Sequence, residues 1–529
     1  MRRSLLRISL AVLAAAAALL AVPGPARASV ANPYAPDVVV ATAADGERAY
    51  FPDLVRLPDG RLLATWRESP DHAFSAGRIK LAESGDGGHT WSPPWLAVDT
   101  PYDDRDPKLM RLRSGALLLS FFETDWSTAP AVIRGTFVVR SDDDGRTWSQ
   151  PVKISTHMDG PSSVSGGTYW LGGAASHGEI LELPNGDLLA PLYGTLPTDP
   201  WNQATVVRST DGGRSWSLDS EITLAAQDGV QFYEPVLALL RSGELVCLIR
   251  TAGRALLTRS DDNGHTWTTP VVTDLWASSA HLLVTREGGL LATYGDVSKK
   301  FSPGRRPTVG RLIKHPEGSW DGLPEVLLYD ASPYGGVTSD QANPSSAEVA
   351  PGRFLTLTYD VRLRAVVGVF SQAGDYRPSP PPPPGTLDLT ALHAAGELTV
   401  DTNLNWISAA IPTRGPVAPP GGNTNFWYAA TSSDTATPAY YTVTFTTPRR
   451  VHAIGVTLKP GFQHAAVVSV SADGVTWAPV ATVTDSRSAK LVWTRLRDDP
   501  AVRAVRVDIT DNGGGWPQLT ELAVQAPTS

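Results

Sequence analysis

Between residues 54 and 360 the chain repeats one hydrophobic–polar pattern: an apolar run, a polar turn built on glycine, and a second apolar run. It reads LVRLPDGRLLATW over Leu54–Trp66, LMRLRSGALLLSFF over Leu109–Phe122 and ILELPNGDLLAPLY over Ile180–Tyr193. It returns as LALLRSGELVCLIR over Leu237–Arg250, LLVTREGGLLATY over Leu282–Tyr294 and AEVAPGRFLTLTYD over Ala347–Asp360. Apolar runs joined by Asp-Gly, Asn-Gly or Ser-Gly turns predict antiparallel hairpins. A second motif, Ser-x-Asp-x-Gly-x-Thr/Ser-Trp, alternates with them at Ser84–Trp91, Ser141–Trp148, Ser209–Trp216 and Ser260–Trp267, with a decayed copy at His315–Trp320. Its Asp is expected to cap the turn through backbone N–H groups, its Gly to supply a positive φ, and its Trp to wedge between neighbouring sheets. Two hairpins per repeat make a four-stranded blade, and six blades close into an all-β, six-bladed β-propeller.

The flanks of the repeat differ in character. Arg2 and Arg3 precede an apolar run from Leu5 to Val22, and Ala26-Arg27-Ala28 offers a small-x-small cleavage pattern before Ser29. Residues 1–28 are therefore expected to be a secretory signal, giving a secreted protein with no membrane segment in its mature form. A proline run at 377–385 reads as a stiff linker between the propeller, 29–376, and a C-terminal domain, 386–529. In that last part short β runs alternate with turns (Tyr441–Phe445, Val451–Leu458, Val467–Trp477, Val502–Ile509), which predicts a β-sandwich.

Composition narrows the partners. The 529 residues are 42% hydrophobic and 19% charged, with net charge -8 and no basic run, which argues against nucleic acid. One cysteine, Cys247, excludes a disulfide framework and any cysteine-ligated metal site. No cofactor is implied, and no ligand spacing for a metal is present. A structural calcium, if there is one, is expected in the C-terminal domain.

The four Ser-x-Asp motifs are Asp-boxes, and with six hairpins they make roughly residues 45–372 similar to the sialidase (neuraminidase) superfamily of six-bladed propellers. The C-terminal domain resembles discoidin-type (coagulation factor 5/8 type C) jelly rolls, and Ser471–Trp477 fits that fold's own strand end rather than a further Asp-box. The resemblance implies carbohydrate binding for the C-terminal domain. For the propeller it implies a site with three arginines on a carboxylate, an Asp acid/base and a Tyr nucleophile activated by a Glu. Glu234 matches that Glu, Arg250 one arginine, Arg305 or Arg306 another, and Asp71 the acid/base. Two positions depart: Tyr50 stands at the first arginine and Asn343 at the nucleophile. Arg105 or Arg48 is available to replace the missing cation, and Tyr334 the missing tyrosine.

In a propeller the first strand of each blade lines the central channel, so its start faces a shared pocket. These starts hold Tyr50-Phe51-Pro52-Asp53, Asp104-Arg105-Asp106-Pro107, Ser176-His177-Gly178-Glu179, Tyr233-Glu234-Pro235, Ser279-Ala280-His281 and Asp340-Gln341-Ala342-Asn343-Pro344. Ionisable groups converging on one axis predict a functional pocket. Glycosidic cleavage needs a proton donor and a carboxylate, which makes Glu234, Asp71, Asp106 and His177 the catalytic candidates. Arg250, Arg305, Arg105, Tyr50, Asn343, His281, Asp340 and Tyr233 are the substrate-binding ones. Glu68, Glu179 and Asp375 read as solvated or structural. The function expected is an exo-acting glycoside hydrolase that removes a terminal, acidic sugar from a glycan or polysaccharide. A silent carbohydrate-binding propeller and a polysaccharide lyase using His177 or His281 as base are the alternatives.

Overall fold

The computed structural model describes residues 36–128, 131–158, 170–171, 173–298, 306–331, 340–376, 383–402, 405–406, 427–428, 439–458, 465–484, 491–511 and 518–528. Six sheets follow one another from Val38 to Gln372, antiparallel apart from the short parallel pairing of Trp170–Leu171 with Ala131–Ser141, and each hairpin of the repeat contributes to the inner part of one sheet. In the first, Arg48–Arg56, Leu62–Ser69, Arg78–Ser84 and Trp95–Val98 pair in chain order. The last sheet, Ala342–Ala350, Arg353–Asp360 and Ala365–Gln372, takes its fourth strand from the other end of the domain. There Val38–Thr42 runs antiparallel to Ala365–Gln372, with Val38 opposite Gly368 and Thr42 opposite Ala365. Backbone hydrogen bonds between the two ends thus close the ring, which leaves no open first or last blade.

Apolar residues on both faces of each sheet are buried because every blade packs against two neighbours. Leu54, Leu62 and Ala64 of the first sheet share a core with Ala347, Leu355 and Leu357 of the last. The Asp-box turns sit between third and fourth strands and tie this packing down. Asp86 accepts from the backbone N–H of His89 and Thr90 at 3.0 and 2.9 Å and from the Thr90 hydroxyl at 2.6 Å. Asp143, Asp211 and Asp262 repeat the pattern, and the Thr147 hydroxyl and amide hold the Asp143 carboxyl down to about 2. Gly88, at φ 94°, lies where a Cβ would be 2.3 Å from the Leu355 side chain of the neighbouring sheet, so both its backbone and its surroundings demand glycine. The decayed copy keeps only the wedge: Trp320 is 1% exposed, and its indole N–H donates to the Pro316 carbonyl at 2.8 Å.

The C-terminal residues form two five-stranded sheets around a separate core that includes Tyr441, Val456, Val468, Val507 and Leu522. This is a β-sandwich, as the alternation predicts. Asp473 caps its turn through Val475 N–H and Thr476 N–H, but the turn joins Ala465–Ser471 to Ala478–Thr484 within the sandwich. Among the described residues no helix is long and apolar enough to cross a membrane.

Candidate functional site

The inner strands are irregular at one level. Their registers slip between Tyr50 and Asp53, Arg105 and Lys108, Tyr233 and Val236, Ser278 and His281, and Ala342 and Ser345. Each slip holds a left-handed residue: Phe51 (φ 54°), Asp106 (47°), Glu234 (47°), Ser279 (50°) and Asn343 (58°). In the third sheet the break is His177-Gly178, between Ala174–Ser176 and Leu181–Glu182. A Cβ on Gly178 would meet the Pro235 carbonyl at 2.4 Å. Such bulges re-aim side chains, and each left-handed non-glycine residue costs about 1–3 kcal/mol. Pro52, Pro107, Pro235 and Pro344 follow four of these residues; a proline has no N–H to leave unpaired where the ladder slips.

The ring holds two carboxyl groups whose surroundings push them in opposite directions. Glu234 accepts from Arg250 Nη1 at 2.6 Å and from the Ser279 backbone N–H at 2.8 Å. Burial opposes its ionisation, but the charge and hydrogen bond of Arg250 win and hold it far below the usual carboxylate range. Asp106 is pushed up by burial; Arg105 counters this and the Glu234 charge adds to it. Burial also pushes the His177 imidazole down to about 4, and its Nε2 pairs with the Ala280 carbonyl at 3.1 Å. Asp106 Oδ1, His177 Nδ1 and Asn343 Oδ1 are buried without a hydrogen-bonding partner among the described residues. A buried polar atom left so costs about 1–3 kcal/mol, and a ligand rich in hydroxyls matches all three.

One wall is the loop after the first hairpin. Arg67, 0% exposed, donates to Asp103 at 2.6 Å and to the Asp71 and Ser75 carbonyls at 3.0 and 3.2 Å. Arg105 Nη1 donates to Asp103 at 2.9 Å and to the His72 carbonyl at 2.6 Å, and Trp126 Nε1 also donates to Asp103. Two buried guanidiniums on one carboxylate therefore fix three loop carbonyls. The loop turns His72 inward, with Nδ1 2.8 Å from Asp340, whose same oxygen accepts from the Tyr359 hydroxyl at 2.5 Å. The rings of Tyr50 and Phe51 stand nearly perpendicular to the His72 ring, with centroids 5.6 and 5.1 Å away. The Tyr50 hydroxyl is pushed up to about 12, by burial first and by Asp340 next.

The expected site residues are therefore sorted as follows. Glu234, Arg250, Asp106, His177, Asn343 and Tyr233 meet at the axis, where the Tyr233 ring packs on Tyr193 at 6.0 Å. Asp340 and Tyr50 meet around His72. Arg105 is inside but engaged by Asp103 and the loop rather than open to an anion. Asp71 is not brought in: its carboxylate points to solvent, 3.8 Å from Arg48. Arg305 and Tyr334 lie outside the described residues. Arg306 reaches in, donating to the Gln341 carbonyl at 2.8 Å, Ser278 Oγ at 3.2 Å and the Tyr359 hydroxyl at 3.4 Å. Gly295 makes room, since a Cβ there would be 2.6 Å from Arg306 Cγ. His281 lies one layer deeper. Glu68 is buried and structural, paired with Arg78 and Lys80.

That deeper layer is an ionic floor. Lys108 Nζ stands 3.7 Å from Asp53, which also accepts from the Leu109 N–H at 2.7 Å, and His281 Nε2 stands 3.0 Å from Glu179. Beyond it a separate cavity of about 400 Å³, lined by Glu179, His281, Leu282 and Glu348, opens at the other end of the channel. Ligand atoms of Asp53, Glu179 and His281 lie within 4.8 Å of one another. However, His281 Nδ1 accepts from the Ser346 N–H, so Nε2 carries the hydrogen and turns it toward Glu179. That tautomer serves a carboxylate rather than a cation.

Sequence reasoning missed Arg67, Tyr193 and Tyr359, although each holds a place equivalent to Arg250. Arg67 pairs with Tyr50, Tyr193 with Ala175, Arg250 with Tyr233 and Tyr359 with Ala342. The available signal was position: each lies within one residue of the end of its second apolar run.

A family profile described as a BNR repeat-like domain matches residues 60–333, and one described as an F5/8 type C domain matches 407–522. A sialidase of Paraclostridium sordellii is 26% identical over 197 residues, covering 33% of this chain and 47% of that protein. The chain thus spans about half the length of this curated relative. Among solved structures, a protein of unknown function from Dyadobacter fermentans is similar with a TM-score of 0.54 at 21% identity, over 63% of this chain and 97% of that one. A Hadza microbial sialidase is similar with a TM-score of 0.48 at 20% identity, over 62% and 66%.

Proposed function

The chain belongs to the BNR repeat-like domain family, and from that footing we propose that it is a secreted, exo-acting glycoside hydrolase that removes a terminal sugar from a glycan or polysaccharide. The observation that carries this is the pair of axial carboxyl groups driven apart: Glu234 held ionised by Arg250, Asp106 pushed toward its protonated form by burial. An ionised carboxylate can take a proton from water while a carboxyl that keeps its proton donates a hydrogen bond to the sugar, so the two groups divide the work between them. In this reading Glu234 takes a proton from the attacking water, Asn343 orients that water, and Asp106 donates a hydrogen bond to the bound sugar. Arg250 and Arg306 are the cations available to an acidic substituent. The C-terminal sandwich retains the polysaccharide, and residues 1–28 direct export, so the mature chain should begin at Ser29.

The test is the purified mature protein on a panel of fluorogenic glycosides, acidic and neutral, with sialic and related nonulosonic acids included. Release of one sugar is expected, reduced by about 10²–10⁴-fold in Glu234→Gln and only moderately in Asn343→Ala. Binding without turnover across the panel, unchanged in Glu234→Gln, would instead identify a lectin.

A further inference from the structure

We propose that His72, held by Asp340, is the residue that protonates the leaving group in this site. This rests on the hydrolase reading above and completes it. In an exo-acting pocket the terminal sugar sits on the axis and its bond to the rest of the glycan points toward the mouth. Asp106 belongs to the buried axial ring, 7% exposed, and so faces the sugar rather than the departing group. Asp71 faces solvent. His72 stands between these levels: its side chain is 32% exposed while its partner Asp340 is the more buried, at 22%.

Its placement is built rather than incidental. The His72 carbonyl is fixed by Arg105, the nearby Asp71 and Ser75 carbonyls by Arg67, and its ring by perpendicular packing against Tyr50 and Phe51. Asp340 engages Nδ1, which leaves Nε2 as the nitrogen that gains and loses a proton. Asp340 is itself held by Tyr359, and although burial raises its carboxyl, the His72 and Tyr359 hydrogen bonds bring it below its ordinary value. The charged and titratable groups around the ring are Asp340 and Tyr359 from the sixth sheet, Tyr50 from the first and Asp106 from the second, while Arg105 holds the backbone below it.

The step balances. The bond from the anomeric carbon to the leaving oxygen breaks with its electron pair going to oxygen, and that oxygen takes the Nε2 proton of the imidazolium. Water forms the new bond to carbon and gives a proton to Glu234, and solvent returns a proton from Glu234 to His72. His72 is thus a catalytic residue and Asp340 a positioning one.

The experiment compares kcat/KM for dinitrophenyl and methyl glycosides of the sugar that the panel identifies. His72→Gln should lower the rate on the methyl glycoside by about 10²–10⁴-fold and leave the dinitrophenyl glycoside, whose leaving group needs no proton, within about threefold. Asp340→Asn, which keeps the imidazole, should give a smaller loss confined to the methyl glycoside, with KM unchanged. Equal losses on both glycosides in His72→Gln and His72→Asn, at unchanged melting temperature, would overturn the assignment. A loss in Asp106→Asn selective for the methyl glycoside would overturn it as well. A wild-type protein silent on every glycoside overturns the hydrolase reading and this step together; an active one with unselective variants overturns this step alone.

Discussion

At Asp106 a single side chain sets function against stability. Its carboxyl is pushed up by burial, so the folded state binds the proton more tightly than the unfolded chain, where an aspartate titrates near 3.9. The stability it contributes is therefore full below that value and lost as pH rises toward the folded value. Asn cannot ionise and still donates a hydrogen bond. Asp106→Asn should therefore melt close to wild type near pH 4 and above it at pH 7, a difference that widens with pH in thermal scans. If the group serves only as a donor to the sugar, the same variant should stay within about tenfold of wild-type turnover, while Asp106→Ala falls further.

The blade obeys a different logic, because its turns and wedges are interchangeable parts. The fifth blade dispenses with the Asp cap and keeps Trp320, which is 1% exposed in a core shared with Leu248, Tyr294 and Leu327. Removing the wedge opens a cavity between blades, so Trp320→Ala should cost about 3–5 kcal/mol in denaturant melts. Asp86→Ala, on an exposed turn, should cost far less. This contrast also explains what was legible in the sequence. Hairpins, boxes and wedges recur, so their spacing exposes six blades without coordinates. The strand starts are legible for the same reason, which is how Glu234, Asp106 and His177 are found. What no repeat announces is the loop after the first hairpin. Asp71 and His72 are neighbours, and only the pull of Arg67 and Arg105 on their carbonyls decides which one turns inward. Arg67 itself looks like any strand end until Asp103, 36 residues away, is seen to hold it.

For the molecule as a whole, closure is the governing fact. Val38–Thr42 completes the sixth blade, and the channel that the ring encloses is blocked part-way by Asp53, Lys108, Glu179 and His281. The site therefore has one door. If the proposed hydrolase reading holds, a glycan chain is not threaded through the propeller, and each cut is followed by withdrawal along the path of entry. On that reading the outer fragment goes first and the trapped monosaccharide last. Kinetically this is an ordered release, and it fixes the inhibition pattern: the free sugar, binding to the same empty enzyme as substrate, should inhibit competitively, and the aglycone, returning to the enzyme still loaded with sugar, noncompetitively. Initial-rate measurements with each product added separately distinguish this order from the random release that a channel open at both ends would allow.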